Sequence, residues 1–314
     1  MHDFTYILSL TSPTFILIAM GYMTVRAGFL QKENVKTLGW FVVNFGLPAA
    51  LFSSLSSRSF QDVLHFDYLL IFGLGSLLSF SVLFFIAKIR SKPLTECAIF
   101  GLGGSLSNSL MIGFPIIMQL FGDAALVPFA LTLIIENLII LPLALALADT
   151  GQHESSSFFR ALFKSLPQLL RNPIIVSIVL GLLVAATDTH PPGFVVKVVD
   201  MLGLTVGGLA LFTIGGTLVG LKSKGMLSDI SSIVFGKLVI HPLSVLLMVL
   251  IFPPMQPLFQ NVAIILACMP MFSIYGVIGI RYNLAGLCSA VLLPATLIAF
   301  ITINLEIWLL GVGG

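Results

Sequence analysis

The stretch GGSLSNSLMIGFP, residues 103–115, gathers Ser105, Ser107, Asn108 and Ser109 inside otherwise apolar sequence. A second stretch, MPMFSIY at 269–275, sets Pro270, Met271, Phe272, Ser273 and Tyr275 in similar surroundings. Gly, Ser and Pro at such points break a helix. The start of the second half-helix then carries unpaired N–H groups and about half a positive charge. The spacing puts these starts at about Ser109 and Pro270, since proline suits the first helical position, where its missing N–H is no loss. Facing each other and lined by Ser105, Ser107, Asn108, Ser109 and Ser273, the two ends form a site for a small anion, with carboxylate the first candidate. Met271, Phe272 and Tyr275 complete the set that would touch a ligand. Close helix packing is the other use of Gly and Ser in apolar sequence, but breaks in two matching helices favour the site.

The ionisable residues add a second kind of chemistry. Glu136, followed by Asn137, lies midway along an apolar run, where a charge is costly unless paired or hydrated and marks function by default. Lys237 and His241 stand one turn apart in GKLVIHP. Two readings of Glu136 are open: it takes and releases a coupling proton, or it forms a structural pair with Lys237. Lys237 could instead offset the charge of a bound anion, and His241 reads as a packed histidine beside Pro242. Asn44, four residues before Pro48, would present its amide toward the broken segment or bond to a neighbouring helix. Glu306 falls near the end of the last apolar run and reaches an interface.

These residues are positioned by an unusual chain. Of 314 residues, 58% are hydrophobic and 9% charged, with 26 Phe and a mean hydropathy of +1.10. A soluble domain carries about 25% charged residues. Ten apolar runs approach the roughly 20 residues needed to cross a bilayer: Phe4–Val25, Val35–Ser57, Leu69–Ala87, Glu96–Phe121, Ala124–Ala148, Pro173–Thr187, Met201–Leu221, Ile230–Phe252, Leu258–Ile280 and Leu284–Leu310. The first lacks a basic start and a cleavage site and reads as a retained helix. Arg26, Lys32, Lys36, Lys88, Arg90, Lys92, Arg160, Lys164, Arg171, Lys222, Lys224 and Arg281 all fall after odd-numbered runs, against Arg58 and Lys197 on the other side. That bias puts the odd loops in the cytoplasm and both termini outside.

The longest polar connection, 149–172, divides the chain into a first five-helix repeat (1–148) and a second (173–314). An odd number of helices per half inserts the second half upside down, the topology of an inverted repeat. Within the linker, SSFFRALFKSLPQLLRN has the spacing of a helix lying on the membrane surface. Helices 4 and 9 carry the two breaks, and helices 2 and 7 correspond through NFGLPAALF and TVGGLALFTIGGTLVG. The class is therefore an all-α polytopic membrane protein.

The strings LSNSLMIGFPIIMQLFGDAAL, FGLPAALF and MPMFSIYGVIGIRYNL resemble elements of the auxin efflux carrier family, whose members include plant PIN proteins and bacterial organic-acid permeases. The resemblance runs over nearly the whole chain. It implies ten helices in two inverted repeats with broken crossover helices 4 and 9, a sodium/proton-antiporter-like or bile-acid-transporter-like fold. It further implies a dimerising scaffold of helices 1, 2, 6 and 7, a moving transport domain of helices 3, 4, 5, 8, 9 and 10, and elevator-type alternating access. The short linker is like the bacterial branch, associated with malonate and malate, in the inner membrane. One departure is Ser107, where plant members have proline, so helix 4 should be less sharply broken than helix 9.

Other classes fit less well. A sodium-coupled organic-anion carrier of the bile-acid-transporter type is the alternative, but it needs clustered oxygen ligands beyond Asn108, Glu136 and Asn137. Protons or membrane potential are favoured as the driving force. No nucleophile–base pair, metal-binding motif or cofactor loop points to an enzyme, and no charge ring points to a channel. Cys97, Cys268 and Cys288 read as buried small residues, and no basic cluster suggests nucleic acid.

Overall fold

A computed structural model describes residues 4–58, 65–152, 171–187, 189, 191–220 and 226–312. The surface helix expected within 156–172 lies almost wholly outside the described residues, as do Arg160, Lys164, Lys222 and Lys224.

The apolar runs are helical, as they must be where no water can satisfy the backbone. Helix α1 (Phe4–Arg26) is followed by α2 (Lys32–Phe41), which passes through a wide π turn (Val42–Gly46) into α3 (Leu47–Ser56). Then come α4 (Phe66–Ile89), α5 (Leu94–Ser105), a π turn (Ser109–Gly113), and α6 (Phe114–Phe121). A 3-10 turn (Gly122–Ala125) leads into α7 (Leu126–Ile135), a third π turn (Glu136–Ile140), and α8 (Leu141–Gln152). The remainder comprises α9 (Pro173–Thr187), α10 (Gly193–Leu204), α11 (Val206–Thr217), α12 (Leu227–Phe235), a fourth π turn (Gly236–Ile240), α13 (His241–Ile251), α14 (Pro257–Ala267), α15 (Tyr275–Arg281) and α16 (Ala285–Leu309).

Among the described residues, six runs are long and apolar enough to cross a membrane: Lys32–Ser56, Phe66–Ile89, Ser109–Gln152, Gly193–Thr217, Leu227–Ile251 and Ala285–Leu309. The Ser109–Gln152 run doubles back. Gly122 takes a φ of 57°, a conformation open to glycine, and α8 returns alongside α5, where Thr95 Oγ1 donates to the Ala148 carbonyl at 3.0 Å. Phe66, Phe194, Leu243, Leu297 and Leu309 are exposed, an apolar exterior suited to lipid rather than water. This is a multi-pass membrane protein.

One boundary differs from the sequence reading. The seventh helix was expected from Met201, but α10 starts at Gly193, directly after Pro192 in extended backbone. Lys197 therefore stands on a helix.

The four π turns share a cause. Each five-residue segment is followed, two residues on, by a proline: Pro48, Pro115, Pro142 and Pro242. A proline inside a helix lacks an N–H, and its ring collides with the carbonyl four residues back. Widening the preceding turn moves that carbonyl aside. The residue before each proline then bonds five residues back, as Leu141 N–H does to the Glu136 carbonyl and His241 N–H to that of Gly236.

Packing sorts the helices into two groups. α1 lies against α11, α2 against α11, and α3 against both α9 and α10. α1 and α11 touch backbone to backbone: a Cβ on Gly21 would sit 1.9 Å from the Phe212 oxygen, and one on Gly215 1.8 Å from that of Ile18. In the second group α4 packs on α5 and α13, α5 on α8, and α15 on α16.

Candidate functional site

The candidate residues gather where two interrupted helical segments meet. α5 ends at Ser105 and the helix resumes at Ser109; α14 ends at Ala267 and α15 begins only at Tyr275. Helix 4 is thus the less broken of the two. Between these ends the strands run antiparallel, with Ser107 bridged to Met271. The Asn108 N–H donates to the Pro270 carbonyl at 2.7 Å. Asn108 Nδ2 donates to Ser273 Oγ at 3.0 Å, while its Oδ1 accepts from the Met111 N–H at 3.3 Å. One residue therefore caps the second half of helix 4 and ties it to the break in helix 9.

Pro270 does not start the second half-helix, contrary to expectation. Its carbonyl is taken by Asn108 and its neighbour Met271 by the bridge to Ser107, so the backbone is non-helical there, and only a turn at Ser273 and Ile274 leads into α15 at Tyr275. The helix-9 side consequently meets the crossing with Ser273 and a carbonyl, and not with a helix N-terminus.

Glu136 joins the crossing from the third π turn. It is 3% exposed, and its Oε1 accepts from Ser109 Oγ at 2.7 Å and from the Ser107 N–H at 3.2 Å. A proline at 107 could not make the second bond. Lys237, fully buried in the fourth π turn, donates to the Ala267 carbonyl at 2.6 Å and lies 2.8 Å from His241 Nδ1. His241 Nε2 in turn meets Ser76 Oγ at 3.0 Å. Among the described residues no ion pair joins Glu136 to Lys237, so the structural pair considered from sequence is not formed. Each charge meets a broken helix end of opposite sign: the carboxylate at the start of the second half of helix 4, the lysine at the end of α14.

The remaining candidates divide. Phe272 and Asn137 line a narrow cleft with Ser107 and Glu136, and the Asn137 amide also donates to the Leu133 carbonyl in its own helix. Ser105 Oγ bonds back to the Gly101 carbonyl. Tyr275 is buried in protein, its hydroxyl donating to the Ile99 carbonyl at 2.9 Å beside Gly103. The Asn44 amide donates to the Trp40 carbonyl of its own helix. Ser76 escaped the sequence reading because a lone serine in an apolar helix carries no signal. The shared signal that was missed is the proline offset, which places Asn44, Ser109, Glu136, Asn137 and Lys237 in π turns, features common at functional sites.

Away from the crossing, Lys92 donates to Asp229 at 2.8 Å, which holds its ammonium above the ordinary lysine range. Arg281 grips Asp149 with contacts of 2.9 and 2.8 Å.

A family model described as membrane transport protein matches residues 6–307. The chain is 27% identical over 98% of its length to a Rhizobium meliloti (strain 1021) protein provisionally named as a malonate transporter, covering 97% of that protein. It is 24% identical over 75% of its length to an uncharacterized transporter, YfdV, of Escherichia coli (strain K12), covering 76% of it. It is also 25% identical over 73% of its length to a lysosomal cholesterol signaling protein of Mus musculus, of which it covers 28%.

Proposed function

The chain belongs to the membrane transport protein family, the auxin efflux carrier family its motifs resemble, and from that premise we propose that it is a secondary active transporter of small organic anions, dicarboxylates such as malonate or malate. It works by elevator-type alternating access and is driven by a proton gradient or the membrane potential. The observation that carries this reading is the contact held by Asn108, whose second amide N–H, with the hydroxyl of Ser273, offers hydrogen bonds to a carboxylate at the junction of two broken helices. The name of the Rhizobium relative supports the substrate class.

Ten spans in two inverted five-helix repeats, with both termini outside and the linker cytoplasmic, complete the reading. α1, α2–α3, α9 and α10–α11 are the scaffold, through which two copies associate in a bacterial inner membrane. The other helices carry the crossing. Their packing into two groups supports this division. Buried and bonded only to neutral donors, Glu136 is the group that takes the coupling proton.

Purified protein in liposomes, loaded separately with imposed proton or sodium gradients, tests the proposal by uptake of labelled malonate against competing acids. Saturable, proton-driven uptake that Asn108→Ala abolishes is expected. Uptake that requires sodium would replace the proton reading with a sodium-coupled one, and normal transport by Asn108→Ala would remove the crossing as the site.

A further inference from the structure

Ser107 brings two polar groups to the crossing, and the protein answers only one. Its N–H donates to Glu136. Its Oγ is buried and has no hydrogen-bond partner among the described residues. The flanking hydroxyls differ: Ser105 Oγ bonds to the Gly101 carbonyl and Ser109 Oγ to Glu136. A buried polar group left unpaired costs about 1–3 kcal/mol, so a polar partner is expected. Ser107 lines a narrow cleft with Glu136 and Asn137, and the apolar side chains of Leu106, Leu110, Leu141 and Phe272 form the rest of its wall. The cleft has room for about one water molecule.

We propose that a single water molecule binds there, bridging Ser107 Oγ and the Glu136 carboxylate, and that it hands the coupling proton to Glu136. This rests on the transport reading above and names how its proton arrives. The Ser107 hydroxyl holds the water oxygen while one water O–H points at the carboxylate. A hydronium formed at that position passes a proton to Glu136, leaving water and a neutral carboxylic acid; the reverse step returns the proton and restores the carboxylate. Two other titratable groups reach Glu136 electrostatically, Tyr68 on α4 and Lys237. Tyr68 is bonded to Thr132 at 2.6 Å and Lys237 to Ala267, and neither lines the cleft. A proline at position 107 would bring neither the N–H nor the hydroxyl.

The test uses full-length wild type, Ser107→Ala, Ser107→Thr and Glu136→Gln in liposomes, with two assays on labelled malonate. Net uptake driven by a pH gradient requires Glu136 to load and release a proton in each cycle. Exchange of internal for external malonate at equal pH does not. Ser107→Ala should slow net uptake about 100-fold or more, within the range expected for losing a positioned proton carrier. It should leave exchange nearly unchanged, and threonine should restore uptake. Infrared difference spectra of the purified proteins on pH change supply a readout independent of transport. The carboxylic-acid band missing in Glu136→Gln should shift in Ser107→Ala and stay in place in Ser105→Ala. Should Ser107→Ala fail to purify, Ser107→Cys, a weak donor of similar size, takes its place. Equal loss of exchange and net uptake would make Ser107 a packing or substrate contact and overturn the relay. Unchanged uptake with an unshifted band would overturn it too. Absence of malonate transport by wild type would sink the transport reading, and the infrared shift would still decide whether the water is there.

Discussion

Glu136 Oε1 accepts two hydrogen bonds from the same break in helix 4, from the Ser109 hydroxyl and the Ser107 backbone N–H. A glutamine oxygen can accept both, so Glu136→Gln should fold with a near wild-type melting temperature while losing proton-driven malonate uptake by about 100-fold or more, as expected of a proton-carrying group. Glu136→Ala leaves a buried N–H without its acceptor and should cost about 1–3 kcal/mol, read as a lower melting temperature in detergent. Equal stability of the two variants would contradict this geometry.

Asn108 acts in two directions, as a cap for Met111 and as a donor to Ser273. Asn108→Asp keeps the cap and loses the amide donor, whereas Ser273→Ala removes only the acceptor. We expect Asn108→Ala to lose about 1 kcal/mol from the cap alone, and Asn108→Asp to recover most of that stability without recovering uptake. Thermal unfolding set beside uptake separates the two roles.

Lys237 satisfies the carbonyl that ends α14. Lys237→Met fits the same space and leaves the Ala267 carbonyl without its donor and His241 Nδ1 without its partner. Destabilisation of about 1–3 kcal/mol follows for each unsatisfied buried group. Ser76→Ala, one step further along the chain of contacts, should cost less. If Lys237→Met melts with wild type, the lysine is not holding the helix end.

The contact between α1 and α11 leaves no room for a methyl group. Gly21→Ala and Gly215→Ala each set a Cβ within 2 Å of a backbone oxygen, and backbone cannot rotate aside as a side chain would. Either substitution should force the helices apart and destabilise by roughly 1–3 kcal/mol, the usual cost of overpacking. Gly207→Ala, whose Cβ would meet nothing within 4 Å, is the control.

Lys92 offers a pH test outside the membrane. Its bond to Asp229 raises its pKa in the folded protein. A raised pKa adds stability that is fully present below the unfolded value of about 10.4 and is lost as pH climbs through the folded value. Lys92→Met should therefore cost at most about 1 kcal/mol at neutral pH, given partial exposure, and from neutral pH upward the deficit should shrink only in the strongly alkaline range. A deficit that grew through the strongly alkaline range would assign the wrong sign.

Much of this was legible in the residues. Apolar runs announced the helices because lipid leaves the backbone no other choice, and GGSLSNS announced a break because Gly and Ser hold a helix weakly. The direct Glu136–Lys237 pair was a natural expectation from two opposite charges at similar depth. It failed because each had nearer partners at a broken helix end, the Ser109 hydroxyl for Glu136 and the Ala267 carbonyl for Lys237, and sequence cannot locate those ends in three dimensions. Pro270 misled for a similar reason: proline fits a helix start, but its carbonyl was already claimed by Asn108 from another helix. The start of α10 was missed because Lys197 was read as a loop residue.

The prolines behind the four wide turns fix a rotational phase. Each π turn holds one more residue than an ordinary turn, and one residue swings a helix by roughly 100° about its axis. Deleting a single residue from 136–140 would thus spin α7 relative to α8 and carry Glu136 away from Ser109, with the chain otherwise intact. Pro142 forbids the turn from tightening by itself, since its ring would strike the carbonyl four residues back. The bearing of the carboxylate is therefore locked by a residue that never touches it.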